Sequence, residues 1–167
     1  MRARPIATPP AAPPDALGPD DVLRMLAHRY PLLLVDRIDV VQPGRRVVGR
    51  KRVTGGEWLC AASEAAGAAM PGLLMVEALA QTAGGVLIGL ADGAEGAVGY
   101  FVALERVRFR GVVRAGESLD LSVELRQFRR GMAKLRGAAH ADGRFVVSAD
   151  FTTVLRAGPR SADPAAR

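Results

Sequence analysis

Several residue types on which particular structures depend are scarce in this sequence of 167 residues, a length that suits one domain. The single cysteine, Cys60, excludes an intrachain disulfide and favours a reducing compartment. Aromatic residues make up 5% of the chain, and no nucleic-acid-binding motif accompanies the net charge of +6. No secretory signal is recognisable at the start. We therefore expect a cytoplasmic protein that binds no nucleic acid and whose basic surface suits an acidic partner or a membrane surface.

Proline is abundant only at the beginning of the chain. Residues 1–19 hold six of the 11 prolines, with alanine between them, a composition typical of a disordered tail. An arginine-bearing transit peptide is the alternative, which the proline density disfavours. Residues 158–167 have the character of a second frayed end. The sequence thus predicts one folded domain over residues 20–157.

The longest apolar stretch covers residues 70–90 and contains one ionisable residue, Glu77. Pro71 suits the first turn of a helix, and strong helix formers follow, with Gly84 and Gly85 as a weak point. A bilayer crossing needs about 20 apolar residues, so the polar Glu77 and Gln81 favour a buried core helix and no membrane span. A buried carboxylate is unfavourable unless it is paired or used, which marks Glu77 as a candidate site residue.

The remainder of the sequence indicates β-structure. Residues 119–126 alternate apolar and polar side chains, and we expect further strands over 32–41, 47–53, 104–110, 132–141 and 145–155. Turns are predicted at Arg130-Gly131 and Asp142-Gly143. A helix must bury its apolar face against another layer. The predicted fold is therefore α+β, with an antiparallel sheet wrapped around one long central helix.

Two motif blocks carry a resemblance to a known family. Residues 26–37 read LAHRYPLLLVDR, and residues 70–81 read MPGLLMVEALAQ. Together with the strand at 100–109, they resemble the FabZ branch of the FabA/FabZ β-hydroxyacyl-[acyl carrier protein] dehydratases, which adopt the hotdog fold. The resemblance covers nearly all of residues 20–157.

That resemblance implies the removal of water from 3-hydroxyacyl thioesters of acyl carrier protein or coenzyme A, in fatty acid or polyketide-type synthesis. It implies no metal and no redox cofactor. A histidine of one subunit and the helix glutamate of the other would act as base and acid. Glu77 matches that glutamate. Pro71 and Gly72 match the helix start, whose N–H groups polarise the thioester carbonyl, and Gln81 matches a substrate-binding position.

The family's histidine is missing from its expected place. Alignment of Glu57 and Pro71-Gly72 without a gap puts Ser63 at that position, and a serine hydroxyl is no base near neutral pH without a partner. The neighbouring Glu64 is either a substitute acid or base or, as we prefer, a solvated loop residue. Of the two histidines, we expect His28 to be structural and His140 to lie on the surface.

Other polar residues have two interpretations each. Gln81 follows Glu77 by one helical turn, so it either steadies that carboxylate or caps a backbone carbonyl. The arginine row Arg106, Arg108 and Arg110 is either a solvated face or a docking surface for an acidic carrier protein.

Three functional hypotheses follow. The chain is an active dehydratase with a divergent loop, a non-catalytic subunit whose site is completed by a histidine-bearing hotdog partner, or a hotdog acyl thioesterase that uses Glu77. By resemblance, the expected assembly is a homodimer, a trimer of dimers or such a heterodimer.

Overall fold

The computed structural model describes residues 15–56, 69–88, 90 and 98–156 of the chain. Two helices are present in these ranges, α1 (Pro19–Met25) and α2 (Gly72–Ile88). The strands are β1 (Ala16–Leu17), β2 (Arg37–Gln42), β3 (Arg46–Arg52), β4 (Ala69–Met70), β5 (Val98–Phe109), β6 (Val113–Arg114), β7 (Ser118–Arg129), β8 (Met132–Ala141) and β9 (Arg144–Arg156).

Seven strands form one antiparallel sheet in the order β1-β2-β3-β7-β8-β9-β5, and β4 pairs with β6. Strands β7 and β8 bury alternate residues, as the period-two pattern of the sequence predicts. Their buried face lies against α2, which also contacts β3 and β9. The predicted arrangement of an antiparallel sheet around a long helix is confirmed. It leaves β5 as an edge of the sheet.

Helix α2 runs unbroken through Gly84 and Gly85. A Cβ atom at Gly85 would lie 3.0 Å from Ile38 Cγ2, so glycine allows the helix to approach the sheet closely there. The same holds from the opposite side at Gly49, where an added Cβ would collide with the side chain of Thr82. Gly85 is therefore a packing requirement of the helix, since tertiary contacts outweigh its low helix propensity.

Part of the predicted N-terminal tail has regular structure. We expected a disordered tail through residue 19, but Ala16–Leu17 pairs with β2 and α1 starts at Pro19. The N–H of Gly18 is bonded by the Asp21 carboxylate at 3.0 Å, which fixes the start of α1. The second predicted tail, 158–167, lies outside the described residues.

The predicted strand over 32–41 is also shorter than expected, because β2 begins only at Arg37. Residues 32–34 instead use their backbone groups to bind a side chain of α2, which is described below. Both predicted tight turns are present, with φ angles of 51° and 74° at Arg130 and Gly131 and of 45° and 83° at Asp142 and Gly143.

Among the described residues, no helix combines the length and apolar composition needed to cross a bilayer.

Candidate active site

Glu77 lies on the part of α2 that faces the edge strand β5. An open groove of about 340 Å³ separates the two elements. Its lining is apolar apart from Glu77 and consists of Leu73, Val76, Glu77, Ala80, Phe101, Val102, Ala103, Leu104 and Phe151. Apolar clefts of this size with a few polar groups are typical of small-molecule sites. The carboxylate side chain is 35% exposed, so it is open to a ligand in the groove.

The start of α2 lies at one end of this stretch. The N–H groups of Leu74 and Met75 both point to the carbonyl of Pro71, at 2.9 and 3.4 Å. Pro71 therefore caps the helix, one position before the first turn in which the sequence placed it. A Cβ at Gly72 would lie 3.0 Å from the ring of Phe109, so glycine allows that ring to cover the helix start. A helix start of this kind presents N–H groups and positive potential to an anionic or polarised oxygen.

One oxygen of Glu77 is contacted by two nitrogen atoms. Gln81 donates from Nε2 to Glu77 Oε1 at 2.8 Å. The Nε2 atom of His28 lies 3.3 Å from the same Oε1, and the His28 side chain is 41% exposed. Both contacts form within one chain: that of Gln81 lies inside the second motif block, and that of His28 joins the two blocks. The hydrogen bond from Gln81 orients the carboxylate, and His28 lies against the same oxygen.

Both interpretations of Gln81 are correct at once. The side chain is 2% exposed, and besides Glu77 it binds two backbone groups of the segment before β2. Its Nε2 donates to the carbonyl of Leu32 at 2.7 Å, and its Oε1 accepts from the N–H of Leu34 at 2.9 Å. Gln81 thus links the carboxylate to the chain segment that also carries His28.

The structure places Gly72, Glu77 and Gln81 on α2 and Pro71 directly before it, as expected from their spacing. Ser63, at the position of the family histidine, lies outside the described residues, as do Glu64 and Cys60. His28 was expected to be structural, yet it touches the candidate site residue. Its signal in the sequence was its membership of the first motif block, but only the tertiary packing of the two blocks reveals the contact.

The second histidine, His140, lies on β8, where its ring meets Phe145 edge-on with centroids 5.6 Å apart.

The three arginines of the row, Arg106, Arg108 and Arg110, differ in their contacts. Arg106 donates from Nε to Asp150 Oδ2 at 2.6 Å, and Arg136 binds the other oxygen at 2.8 Å. These hydrogen bonds, that of Arg136 first, lower the pKa of Asp150. Arg106 is therefore engaged in an intrachain ion pair, whereas Arg108 and Arg110 are exposed and have no ion pair among the described residues.

Comparisons with known proteins agree with the motif blocks. Residues 26–150 match the family model of the FabA-like domain. The chain is 41% identical over 143 residues to a 3-hydroxyacyl-[acyl-carrier-protein] dehydratase FabZ of Syntrophotalea carbinolica, a match that covers 86% of this chain and 96% of that protein. A FabZ of Granulibacter bethesdensis is 39% identical over 140 residues, which cover 83% of this chain and 82% of the relative.

Similar folds occur among solved structures. A chain of the dehydratase heterocomplex ApeI:P from Xenorhabdus doucetiae superposes with a TM-score of 0.67 at 22% identity, over 84% of this chain and 91% of that one. A hypothetical thioesterase from Streptococcus pneumoniae, solved with coenzyme A, gives 0.57 at 17% identity, over 72% and 87%. These likenesses confirm the predicted hotdog fold. With its FabA-like domain and its FabZ relatives, the chain belongs to the FabA-like family of hotdog proteins.

Proposed function

We propose that this protein is the glutamate-bearing subunit of a 3-hydroxyacyl thioester dehydratase, and that a second hotdog subunit supplies the histidine of its site. The observation that carries the proposal is the placement of Glu77. It is the ionisable residue in the lining of an apolar groove, and two nitrogen atoms contact one of its oxygens. An oriented carboxylate beside an apolar groove suits proton transfer to a substrate with an acyl chain.

Dehydration needs two proton transfers at adjacent carbons. A base removes the proton from the carbon next to the thioester carbonyl, and the electron pair forms the new double bond. The β-hydroxyl leaves with its electron pair and takes a proton from the protonated carboxyl of Glu77, so water is released. The proton held by the base then returns to Glu77 to restore the starting state. Glu77 is the acid of this scheme, and an imidazole is the fitting base near neutral pH.

The helix start supports the same reaction. Charge develops on the thioester oxygen when the α proton leaves, and N–H groups at a helix start stabilise such an oxygen. Gly72, which follows the capping Pro71, adds no side chain of its own beside these N–H groups, although the ring of Phe109 packs against it. We assign Pro71 and Gly72 to binding of the thioester carbonyl, while the groove beside Glu77 accepts the acyl chain.

The second subunit is proposed on two grounds. The edge strand β5 exposes large apolar side chains, with Tyr100, Phe101 and Val102 at 57%, 50% and 59% exposure. An exposed apolar strand edge is typical of a protein interface, and a partner on β5 would close the groove. The sequence has Ser63 where the family has its histidine, so an identical partner cannot supply that base from this position. A dehydratase heterocomplex among the proteins of similar fold supports a mixed pair.

The remaining expectations belong to the same proposal. The thioester is carried by an acidic carrier protein or by coenzyme A, and Arg108 and Arg110 are exposed cations available to either. The protein works in the cytoplasm, and its site uses no metal or redox cofactor. The chain pairs with a histidine-bearing subunit or with itself, in a dimer or a trimer of dimers, and only the mixed pair has a complete site.

The test compares the purified wild type with Ser63→His in turnover of 3-hydroxybutyryl-CoA and of the same acyl group on a carrier protein. We expect the wild type alone to be inactive. We expect Ser63→His to gain about a hundredfold or more, the usual contribution of a general base. Equal activity of the two proteins would contradict a missing base. Release of free thiol by the wild type would instead identify a hotdog thioesterase.

A further inference from the structure

The two oxygens of the Glu77 carboxylate have unequal surroundings. Gln81 Nε2 and His28 Nε2 converge on Oε1, at 2.8 and 3.3 Å. In the ranges 15–56, 69–88 and 98–156, no hydrogen bond or ion pair involves Oε2. A carboxylate with one oxygen held and one open has a defined direction in which it can exchange a proton with a ligand.

His28 is itself held in place by its neighbours. The guanidinium of Arg29 donates from Nη1 to the carbonyls of Leu26 and His28, both at 2.7 Å. The N–H of Leu33 bonds the Arg29 carbonyl at 3.0 Å, which closes the turn. The imidazole therefore projects from an ordered turn, whose continuation is bound by Gln81.

The two ring nitrogens of His28 lie in different environments. Nε2 faces Glu77, whereas Nδ1 is buried and has no hydrogen-bond partner among the described residues. A buried N–H donor without an acceptor is costly. The tautomer with its hydrogen on Nε2 avoids that cost, because it puts the hydrogen on the nitrogen that lies near the carboxylate and leaves only a lone pair on Nδ1.

This geometry favours a role of His28 through Glu77 over direct proton exchange with substrate. A base and an acid that act on adjacent carbons of one substrate must both face it. The Nε2 atom of His28 instead faces Glu77 Oε1, and His28 does not line the groove. The contact of His28 with Glu77 therefore does not replace the histidine base that is missing at position 63.

We propose that His28 is a positioning residue, which together with Gln81 holds Oε1 of Glu77 so that Oε2 faces the groove. The catalytic meaning of this inference rests on the proposed function, since Glu77 must be the acid for its direction to matter. The contact itself can be tested without any turnover, because the chain contains only two histidines.

The first measurement is a long-range ¹H–¹⁵N correlation spectrum of the imidazoles in the tag-free protein at neutral pH. The spectrum of His140→Gln lacks the signals of that imidazole and so shows which of the two patterns belongs to His28. We expect His28 to be the tautomer with hydrogen on Nε2, and Glu77→Gln to shift its resonances while those of His140 stay in place. Resonances of His28 that do not respond to Glu77→Gln would overturn the inference, whether or not the protein is a dehydratase.

The second measurement uses the Ser63→His background, with His140→Gln as the matched control. His28→Ala should lower kcat about tenfold with little change in KM, the size expected for one charge-assisted contact. His28→Gln should restore most of the loss, because its side-chain amide N–H reaches the same oxygen but cannot carry a proton for the reaction. If His28→Gln is as impaired as His28→Ala, His28 exchanges protons itself and the positioning role is wrong.

Discussion

Gln81 donates a side-chain N–H to Glu77, one turn earlier on α2, across 2.8 Å. The same amide binds the backbone of Leu32 and Leu34, and the side chain is 2% exposed. One buried side chain therefore joins the candidate acid to the segment before β2. Buried polar groups of this kind specify a unique packing when every member is satisfied.

Gln81→Leu should be strongly destabilising. Leucine fills a similar volume with an apolar side chain, but it leaves the N–H of Leu34 and the carbonyl of Leu32 without their partner. Each unsatisfied buried group costs about 1–3 kcal/mol, so we expect a loss of about 2–4 kcal/mol in the free energy of unfolding. Urea titration measures it. A loss below about 1 kcal/mol would mean that these backbone groups find other partners.

Thr153→Val is the contrasting change at a buried polar residue. The Thr153 hydroxyl is buried and has no hydrogen-bond partner among the described residues. Valine has nearly the same shape and removes the unpaired hydroxyl, so the variant should be as stable as the wild type or more stable by about 1 kcal/mol. Urea titration measures this change in the free energy of unfolding as well. Destabilisation by more than about 1 kcal/mol would show that the hydroxyl is bonded in solution.

Gly49→Ala tests the close approach of α2 to the sheet. The new methyl group would overlap the buried side chain of Thr82, so strand and helix must separate. Overpacking of this kind costs about 1–3 kcal/mol. Gly56→Ala is the matched control, because no atom of the described residues lies within 4 Å of its added Cβ. Thermal unfolding should separate the two variants, and equal melting temperatures would contradict the close contact.

Asp150→Asn tests the ion-pair cluster on the outer face of the sheet. Hydrogen bonds from Arg136 and then Arg106 lower the pKa of Asp150 in the folded state. The ionised form therefore stabilises the fold above the unfolded pKa of about 4, and this stabilisation is lost as the pH falls through the lower folded pKa. At pH 7 we expect the variant to be less stable by about 1–2 kcal/mol, since both arginines are partly solvated.

The pH dependence is the specific part of that prediction. The gap between wild type and Asp150→Asn should narrow as the pH falls below about 4, where Asp150 takes up a proton. Asp120→Asn is the control: its pair with Arg50 is more exposed, and it should change stability by less than about 1 kcal/mol. A gap for Asp150→Asn that stays constant down to pH 2 would contradict the effect of the arginines on its pKa.

The strands and turns with local signals could be predicted from the sequence. Strand β8 has the predicted bounds, and Asp142-Gly143 forms the expected turn, because alternation and turn chemistry are local. The start of the fold could not be predicted, since Ala16–Leu17 is a strand only through pairing with β2. Residues 32–34 have strand-like side chains, but Gln81 binds their backbone, which no local pattern indicates.

In the candidate site too, contacts between near neighbours in the sequence could be predicted, whereas contacts between distant segments could not. Glu77 and Gln81 are one helical turn apart, so their contact follows from spacing alone. The contact between His28 and Glu77 depends on the packing of two distant segments. Their motif membership marked both residues, yet only the fold brings them together.

The central claim is that Glu77 of one subunit works with a histidine of another. Mixing wild type with the double variant Ser63→His/Glu77→Gln tests it most directly, because each protein alone lacks one half of the pair. We predict turnover of 3-hydroxybutyryl-CoA after subunit exchange, at about a quarter of the Ser63→His activity. About half of randomly paired dimers would be mixed, and each would have one complete site of two. An inactive mixture, beside an active Ser63→His variant, would contradict a site shared between subunits.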